Sequence, residues 1–290
     1  MIDPHLLTSG VIFGLSMGSI FFLMTVGLSL CFGMMRVISL DQLLYYSLGA
    51  YLAYSISLAT GSLWLGVAGG MVVGALAGLL VERLIFLRIY ERDITFSMIT
   101  SFGVLIAGVG VIKFFWGLVP RPVPVPIAAQ LDVLGAEVPV YRLLVIAIAA
   151  LVYAGIWLFL HRTIIGKAIR AGIESVEHVE GLGIDVSRLF SLTFIIAGAL
   201  SGLAGALHAP LIMVDPQMGV EVLAFAFMVV IIGGLGSLKG TLVSSVLVGQ
   251  VVSLGSLMYA PLAQMAPFAL MLVILLVRPT GLFGSPLLKR

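Results

Sequence analysis

Long apolar runs dominate the pattern of hydrophobic and polar positions along the chain. A helix needs roughly 20 apolar residues to cross the hydrocarbon layer of a bilayer. Runs of that length lie near residues 8–33, 62–81, 94–117, 141–160, 189–209 and 241–259. Shorter runs lie near 43–60, 220–235 and 263–278, and each predicts a span or a re-entrant segment. We therefore expect an all-α polytopic membrane protein, a bundle of about 8–10 transmembrane helices that forms one domain over residues 1–290.

The composition excludes a soluble globular protein. Only 10% of the residues are charged and 61% are hydrophobic, whereas a soluble domain carries about 25% charged residues. Glycine is abundant at 34 residues, and in membranes glycine lets helix backbones approach closely. Gly66, Gly70, Gly74 and Gly78 recur every fourth residue and predict one helix face for close packing.

The basic residues predict the orientation of the bundle. Most of the 15 Lys and Arg residues fall in the segments 34–42, 82–93, 161–188, 236–240 and 278–290. Only Lys113, Arg121 and Arg142 fall near the opposite ends of the spans. Because positively charged loops stay in the cytoplasm, we expect the N-terminus outside and the C-terminus in the cytoplasm. The net charge of +2 does not indicate a nucleic-acid partner.

Two loops are long enough to have structure of their own. In the outer loop, 118–140, alternating prolines exclude a helix, and residues 131–138 predict two short strands around a glycine turn. In the inner loop, 161–188, Ser175 can cap a short helix from Val176 to Glu180 that stops at Gly181. That helix fits either a socket in a partner protein or an ordinary solvated loop.

Ionisable residues within spans are costly and indicate function. Asp41, Gln42, Asp215, Gln217 and Glu221 lie near the ends of apolar runs, where we expect membrane interfaces. Without a deep chain of carboxylates or histidines, coupling to an ion gradient is disfavoured. The energy source is then expected on a partner.

Catalytic chemistry is not predicted. The four histidines are scattered without metal-ligand spacing, and the chain lacks a phosphate-binding Gly-x-x-x-x-Gly-Lys-Ser/Thr loop. We therefore expect no enzyme activity, no metal site and no cofactor.

Four stretches together resemble the permeases of branched-chain amino-acid ABC transporters. They are 27–38 with 48–51, 166–171 with 181–188, 233–241, and 278–284. The resemblance implies a subunit of the bacterial inner membrane that works with a second permease, expected to be a paralogue, two cytoplasmic ATPases and a periplasmic binding protein. It also implies alternating access, in which the inner loop couples the bundle to the ATPases. The coupling residues would be Glu174, Ser175, Glu177, His178, Gly181, Gly183 and Ile184.

One segment departs from the family pattern. Relatives commonly read Asn-Phe-Ala-His-Gly where this chain has Ser39-Leu40-Asp41-Gln42-Leu43. The substrate is therefore expected among branched-chain or related amino acids, with urea, short amides and aromatic acids as alternatives within the family. An ion-coupled carrier is a further alternative. The candidate residues of the path or gate are Ser39, Asp41, Gln42, Tyr45, Thr100 and Ser101.

Overall fold

Helices make up most of the protein in a computed structural model that describes residues 4–90, 92–133 and 135–284. In chain order the helices are α1 (Pro4–Met35), α2 (Gln42–Thr60), α3 (Leu63–Leu84), α4 (Ile94–Trp116), α5 (Val140–Arg162), α6 (Ile164–Glu174), α7 (Val176–Gly181), α8 (Val186–His208), α9 (Met218–Glu221), α10 (Leu223–Gly233), α11 (Leu238–Met258) and α12 (Ala260–Val277). Single 3-10 turns follow α3 at Phe86–Arg88 and α8 at Ala209–Leu211.

Seven helices in the described part of the chain are long and apolar enough to cross a membrane. They are His5–Met35, Leu63–Arg88, Ile94–Trp116, Val140–Arg162, Val186–Leu211, Leu238–Met258 and Ala260–Val277. The segment Met218–Gly233 is apolar but shorter, and α2 has 19 residues. These are two of the segments for which the sequence left re-entrance open. The all-α polytopic class is confirmed.

The two long loops lie at opposite ends of α5, a helix of 23 residues that spans about 35 Å at 1.5 Å per residue. One loop contains β1 (Gln130–Val133) and β2 (Ala136–Pro139), an antiparallel pair around Gly135. This confirms the predicted strands, and we call this side of the molecule the hairpin end. The other loop holds α6 and α7 and marks the short-helix end.

Glycines bring the central helices into backbone contact. A methyl group on Gly74 of α3 would stand 2.3 Å from the carbonyl oxygen of Gly198 of α8, and one on Gly78 would stand 2.5 Å from that of Phe194. The same face of α3 also meets α2, because a methyl group on Gly66 would stand 2.8 Å from the carbonyl oxygen of Ala53. Such distances leave no room for a side chain, so α2, α3 and α8 form a tightly packed centre.

The chain is not helical between the end of α1 and the start of α2. Arg36 has a left-handed backbone with φ 54°, which ends α1. The non-helical segment that follows has a hydrogen-bond partner in α4: the Ser101 hydroxyl donates to the carbonyl oxygen of Ile38 at 2.8 Å. Unpaired backbone groups are expensive inside a bundle, and side chains of neighbouring helices satisfy them.

A second interruption, at α9, meets the start of α2. A methyl group on Gly219 would stand 2.5 Å from both the carbonyl oxygen of Leu43 and the hydroxyl oxygen of Ser47. Two segments that interrupt the long helices therefore meet at the first turn of α2: residues 36–41, which precede it, and residues 212–222, which include the four-residue helix α9. Non-helical backbone within a membrane bundle is tolerated where protein surrounds it or where it lines a cavity.

Candidate functional site

A cluster of buried polar side chains surrounds the first turn of α2. The carboxylate of Asp41 accepts hydrogen bonds from the hydroxyl of Ser39, at 2.5 Å, and from the phenol of Tyr45. The amide of Gln42 donates to the Ser39 oxygen at 3.3 Å and accepts from the Ser201 hydroxyl of α8 at 3.0 Å. All five side chains are fully buried. We call these five residues the polar cluster.

Asp41 is placed there by the way α2 begins. It occupies the N-cap position, but its side chain makes no capping hydrogen bond. Only its backbone carbonyl serves the helix, accepting from the N–H of Leu44 at 2.9 Å. An N-cap aspartate ordinarily accepts from a backbone N–H with its carboxylate. This carboxylate is instead committed to Ser39 and Tyr45.

Asp41 and Gln42, expected at a membrane interface, are both enclosed by the helices of the bundle. Both side chains are inaccessible to solvent, because the segment before α2 turns back into the bundle. Hydropathy marked only the polar edge of an apolar run and carried no information on that turn. Asp215 and Gln217 do lie in the loop at the hairpin end, where the Asp215 carboxylate accepts from the Gln217 N–H at 2.7 Å.

The two α4 residues on the predicted path are placed differently. Ser101 is buried and holds the segment before α2 through Ile38, as described above. Thr100 is half-buried, and its hydroxyl donates to the carbonyl oxygen of Phe96 one turn earlier in the same helix. The structure therefore brings Ser101 beside the polar cluster but does not bring Thr100 there.

A second buried carboxylate was not predicted. Glu82 of α3 is fully buried, accepts from the phenol of Tyr90 at 3.0 Å and from the Ser191 hydroxyl of α8 at 2.9 Å, and lies 3.5 Å from the Arg83 Nε. The four-residue spacing of the glycines in α3 continues from Gly78 to position 82. That spacing was the signal in the sequence, since it places Glu82 on the face that packs against α8.

The short helix α7 has the predicted cap. The Ser175 oxygen accepts from the N–H of His178 at 3.3 Å, and the Ser175 hydroxyl donates to the Glu177 carboxylate at 2.8 Å. This hydrogen bond holds the pKa of Glu177 below its ordinary value, so the side chain stays ionised at neutral pH. Val179 is buried beneath the helix, while Glu177 and His178 are exposed.

The remaining coupling candidates flank α7. Glu174 ends α6 and, with Arg36 and Glu177, borders a cavity of about 410 Å³. Gly181 is exposed, and a methyl group there would meet no atom within 4 Å. Gly183 has a left-handed backbone with φ 75°, and the half-buried Ile184 packs against the core.

One continuous helix connects α7 with the polar cluster. Asp185 caps α8 by accepting from the N–H of Arg188 at 3.3 Å, and the two side chains form an ion pair at 2.9 Å. From there α8 runs without interruption past Gly198 to Ser201. The exposed short helix and the buried cluster are thus joined by the loop 182–185 followed by one uninterrupted helix.

Known proteins with similar sequences have one description in common. A family model described as "Branched-chain amino acid transport system / permease component" matches residues 10–275. The high-affinity branched-chain amino acid transport system permease protein LivH of Escherichia coli K12 is 25% identical over 293 residues, with 94% of each chain covered. The corresponding protein BraD of Pseudomonas aeruginosa is 24% identical, also with 94% of each chain covered.

A relative from an archaeon extends the similarity. The probable branched-chain amino acid transport permease protein LivH of Methanocaldococcus jannaschii is 27% identical over 282 residues, covering 90% of this chain and 88% of that protein. No solved structure matches. Since the family model spans nearly all of the helical bundle, the chain belongs to the branched-chain amino-acid transport system permease family.

Proposed function

We propose that this chain is a permease subunit of an ATP-driven ABC importer of the inner membrane, carrying branched-chain or related amino acids. Its bundle forms the translocation path and changes access from one side of the membrane to the other. Two cytoplasmic ATPases supply the energy, a periplasmic protein delivers the substrate, and a second permease completes the pore. The observation that carries this proposal is the polar cluster, which lies where two broken segments of the bundle converge.

The polar cluster supports a role in the path. Its members satisfy one another: Ser39 and Tyr45 donate to Asp41, and Ser201 donates to Gln42. Discontinuous helices at the centre of a transporter supply free backbone and side-chain groups that bind substrate. A cluster whose hydrogen bonds are internal in one state can offer the same groups to an amino acid in another, since substrate ammonium and carboxylate groups need such partners.

The exposed side of α7 supports the coupling role. The helix carries an ionised Glu177 and an open Gly181 surface, and it is anchored by the buried Val179. ATP binding moves the ATPase pair, and α7 follows it. Because α8 follows α7 after four residues and reaches the polar cluster, the movement passes through the loop 182–185 and then along α8 to the path. Glu174, Ser175, His178, Gly183 and Ile184 complete this docking region.

The charge distribution supports the orientation. Arg88, Arg92, Arg162, Lys167 and Arg170 all belong to segments at the short-helix end. Basic loops stay in the cytoplasm, so the short-helix end faces the ATPases. The hairpin end then faces outward, where the loop 118–140 meets the binding protein.

A stand-alone ion-coupled carrier is the second candidate, because Asp41 and Glu82 are buried carboxylates. The sequence argument against ion coupling rested on a scarcity of such groups, and the structure overturns that premise. Both carboxylates are hydrogen-bonded to neutral hydroxyl groups, an arrangement that also suits a fixed structural role. A functional experiment therefore decides between the two energy sources.

Reconstitution into proteoliposomes tests the proposal. The chain is reconstituted alone and together with its partner permease, the two ATPases and the binding protein. We expect uptake of leucine, isoleucine or valine only in the complete assembly, with ATP present and with inhibition by vanadate. Uptake by the chain alone, driven by a proton or sodium gradient, would establish the carrier instead. Competition by urea, short amides or phenylalanine identifies the substrate class.

A further inference from the structure

A cavity of about 250 Å³ lies near the hairpin end, between α1, α5, α8 and α11. Its polar lining consists of Arg142, His208, Ser253 and Ser256, and Phe13 contributes an aromatic face. None of these residues belongs to the polar cluster. The cavity is therefore a separate site, and its hydrogen-bonding groups indicate what it can bind.

His208 lines this cavity and has one ring nitrogen without a partner in the described part of the chain. The residue is 3% exposed, and its Nδ1 lies 2.5 Å from the phenol oxygen of Tyr46. We assign the Tyr46 hydroxyl as the donor to Nδ1, because its hydrogen then has an acceptor, and the hydrogen of the neutral ring is then on Nε2. Nε2 is buried and has no hydrogen-bond partner among the described residues. Buried polar atoms are almost always paired, and an unpaired one calls for an explanation.

Arg142 adds a charge without a counter-ion. Its guanidinium carbon lies 4.1 Å from the centroid of the Phe13 ring. No acidic side chain of the described part of the chain pairs with it, since the two ion pairs found there are Arg83 with Glu82 and Arg188 with Asp185. Stacking on a ring leaves the edge of the guanidinium free, and that edge matches two oxygens of a carboxylate or phosphate.

The hydrogens of the two serine hydroxyls in the lining are already used in hydrogen bonds within the protein. Ser253 donates to the carbonyl oxygen of Gly10 at 2.7 Å, and Ser256 donates to that of Ser253 at 2.7 Å. The unused donors of the lining are the Arg142 N–H groups and the His208 Nε2–H, while the two serine oxygens keep lone pairs that can accept. A small cavity lined by a cation and by a residue with an unpaired ring N–H matches an oxyanion in charge and in hydrogen-bond donors.

We propose that Arg142 and His208 form a binding site for one carboxylate or phosphate group. Two molecules offer that chemistry at this place: the amino acid that enters from the hairpin end, and a membrane lipid with a phosphate headgroup. The carboxylate source rests on the proposed function, whereas the phosphate source does not. Tyr46 holds the His208 ring in the tautomer that the anion needs and adjoins Tyr45 of the polar cluster.

Ligand-dependent thermal unfolding of the purified, delipidated full chain tests the site. The probes are leucine, with leucine amide as its carboxylate-free control, and dihexanoyl phosphatidylglycerol, with dihexanoylglycerol as its phosphate-free control. We expect leucine or the phosphatidylglycerol to raise the melting temperature, and neither control to do so. Arg142→Gln should weaken apparent binding about tenfold or more, as expected for a lost charge-assisted hydrogen bond. Lys113→Gln removes a cation that lies outside this cavity and should bind as the wild type does.

Two further variants keep the test decisive if Arg142→Gln does not fold. Tyr46→Phe leaves the cavity lining unchanged and frees only the ring tautomer, so binding should weaken severalfold. Arg142→Lys keeps the charge and should retain part of the affinity. A shift with leucine alone assigns a carboxylate, and a shift with the phosphatidylglycerol alone assigns a lipid. No shift in the wild type, or an undiminished shift in both Arg142→Gln and Tyr46→Phe, would overturn the site. Neither ATP nor a partner is present, so failure of ATP-driven uptake and failure of anion binding at this site are measured separately.

Discussion

The hydroxyl of Ser201 donates to the Oε1 of Gln42 at 3.0 Å, joining residues 159 positions apart in the sequence. Ser201 belongs to α8, which begins just after α7, and Gln42 is the first residue of α2. A displacement of α7 by a partner would therefore act on this bond through the short loop 182–185 and the helix α8. The bond is the point at which the proposed coupling region and the proposed path meet.

The contact between α3 and α8 should not tolerate a side chain at Gly198. A methyl group there would stand 2.2 Å from the carbonyl oxygen of Gly74, so Gly198→Val forces the helices apart. Overpacking of this kind costs about 1–3 kcal/mol or more. The melting temperature in detergent and the yield of folded protein measure the effect. Gly110→Val on α4 is the matched control, because a methyl group at Gly110 meets no atom within 4 Å. Equal stability of the two variants would contradict the packing.

Replacing Asp41 with asparagine should disturb the polar cluster while preserving its volume. Both oxygens of Asp41 accept hydrogen bonds, and an asparagine can accept at only one of the two positions. Loss of one hydrogen bond to a charged group costs about 1.5–3 kcal/mol. We expect ATP-driven uptake to fall at least about tenfold, measured in proteoliposomes. Asp132→Asn in the exposed hairpin should transport as the wild type does. Full uptake by Asp41→Asn would remove the cluster from the path.

Gly181→Leu should block the docking of α7 without unfolding the chain. A side chain at Gly181 meets no atom within 4 Å, and the backbone there is not left-handed. Only a partner that approaches this surface would meet the leucine. We expect the ATPase subunits to be lost when the variant is purified, and a similar loss for the charge reversal Glu177→Lys. Glu137→Lys, at the hairpin end, is the matched reversal and should keep them. Normal recovery of the ATPases with both α7 variants would place the contact elsewhere.

Thiol labelling in intact cells tests the orientation. The one native cysteine, Cys31, is buried and should not react in the folded protein. Ala128→Cys lies in the exposed part of the loop 118–140, and Glu180→Cys lies on the exposed side of α7. A membrane-impermeant maleimide should label position 128 in intact cells and position 180 only after permeabilisation. The reverse pattern would invert the topology.

Local chemistry was sufficient to predict several elements. The α7 cap at Ser175 and the strands around Gly135 follow from residues at most nine positions apart, and both were found. The apolar runs predicted the long helices for the same reason, since hydropathy is read from neighbouring residues. Gly74 and Gly78 indicated that one face of α3 would pack closely, although not against which helix.

The burial of Asp41 had no signal among neighbouring residues, and the burial of Glu82 was indicated only by the glycine spacing of α3. Asp41 follows α1 by a few residues, and only the turn at Arg36 carries it back into the bundle. Glu82 stands beside Arg83 near a helix end, where a surface position is the ordinary expectation. Its partner Ser191 is 109 positions away, so the pair exists only after α3 packs against α8.

The sequence by itself showed that this protein is embedded in lipid, where most helices begin and end, and which polar loop carries α7. Each of these features depends on the transfer free energy or the conformational preference of adjacent residues. Only the tertiary structure decided which buried groups meet: Gln42 with Ser201, Tyr46 with His208, and Glu82 with Ser191. Those pairs form between helices, where the choice of partner depends on close packing across glycine faces and on the need to satisfy polar groups away from water. Neither requirement is expressed by neighbouring residues along the chain.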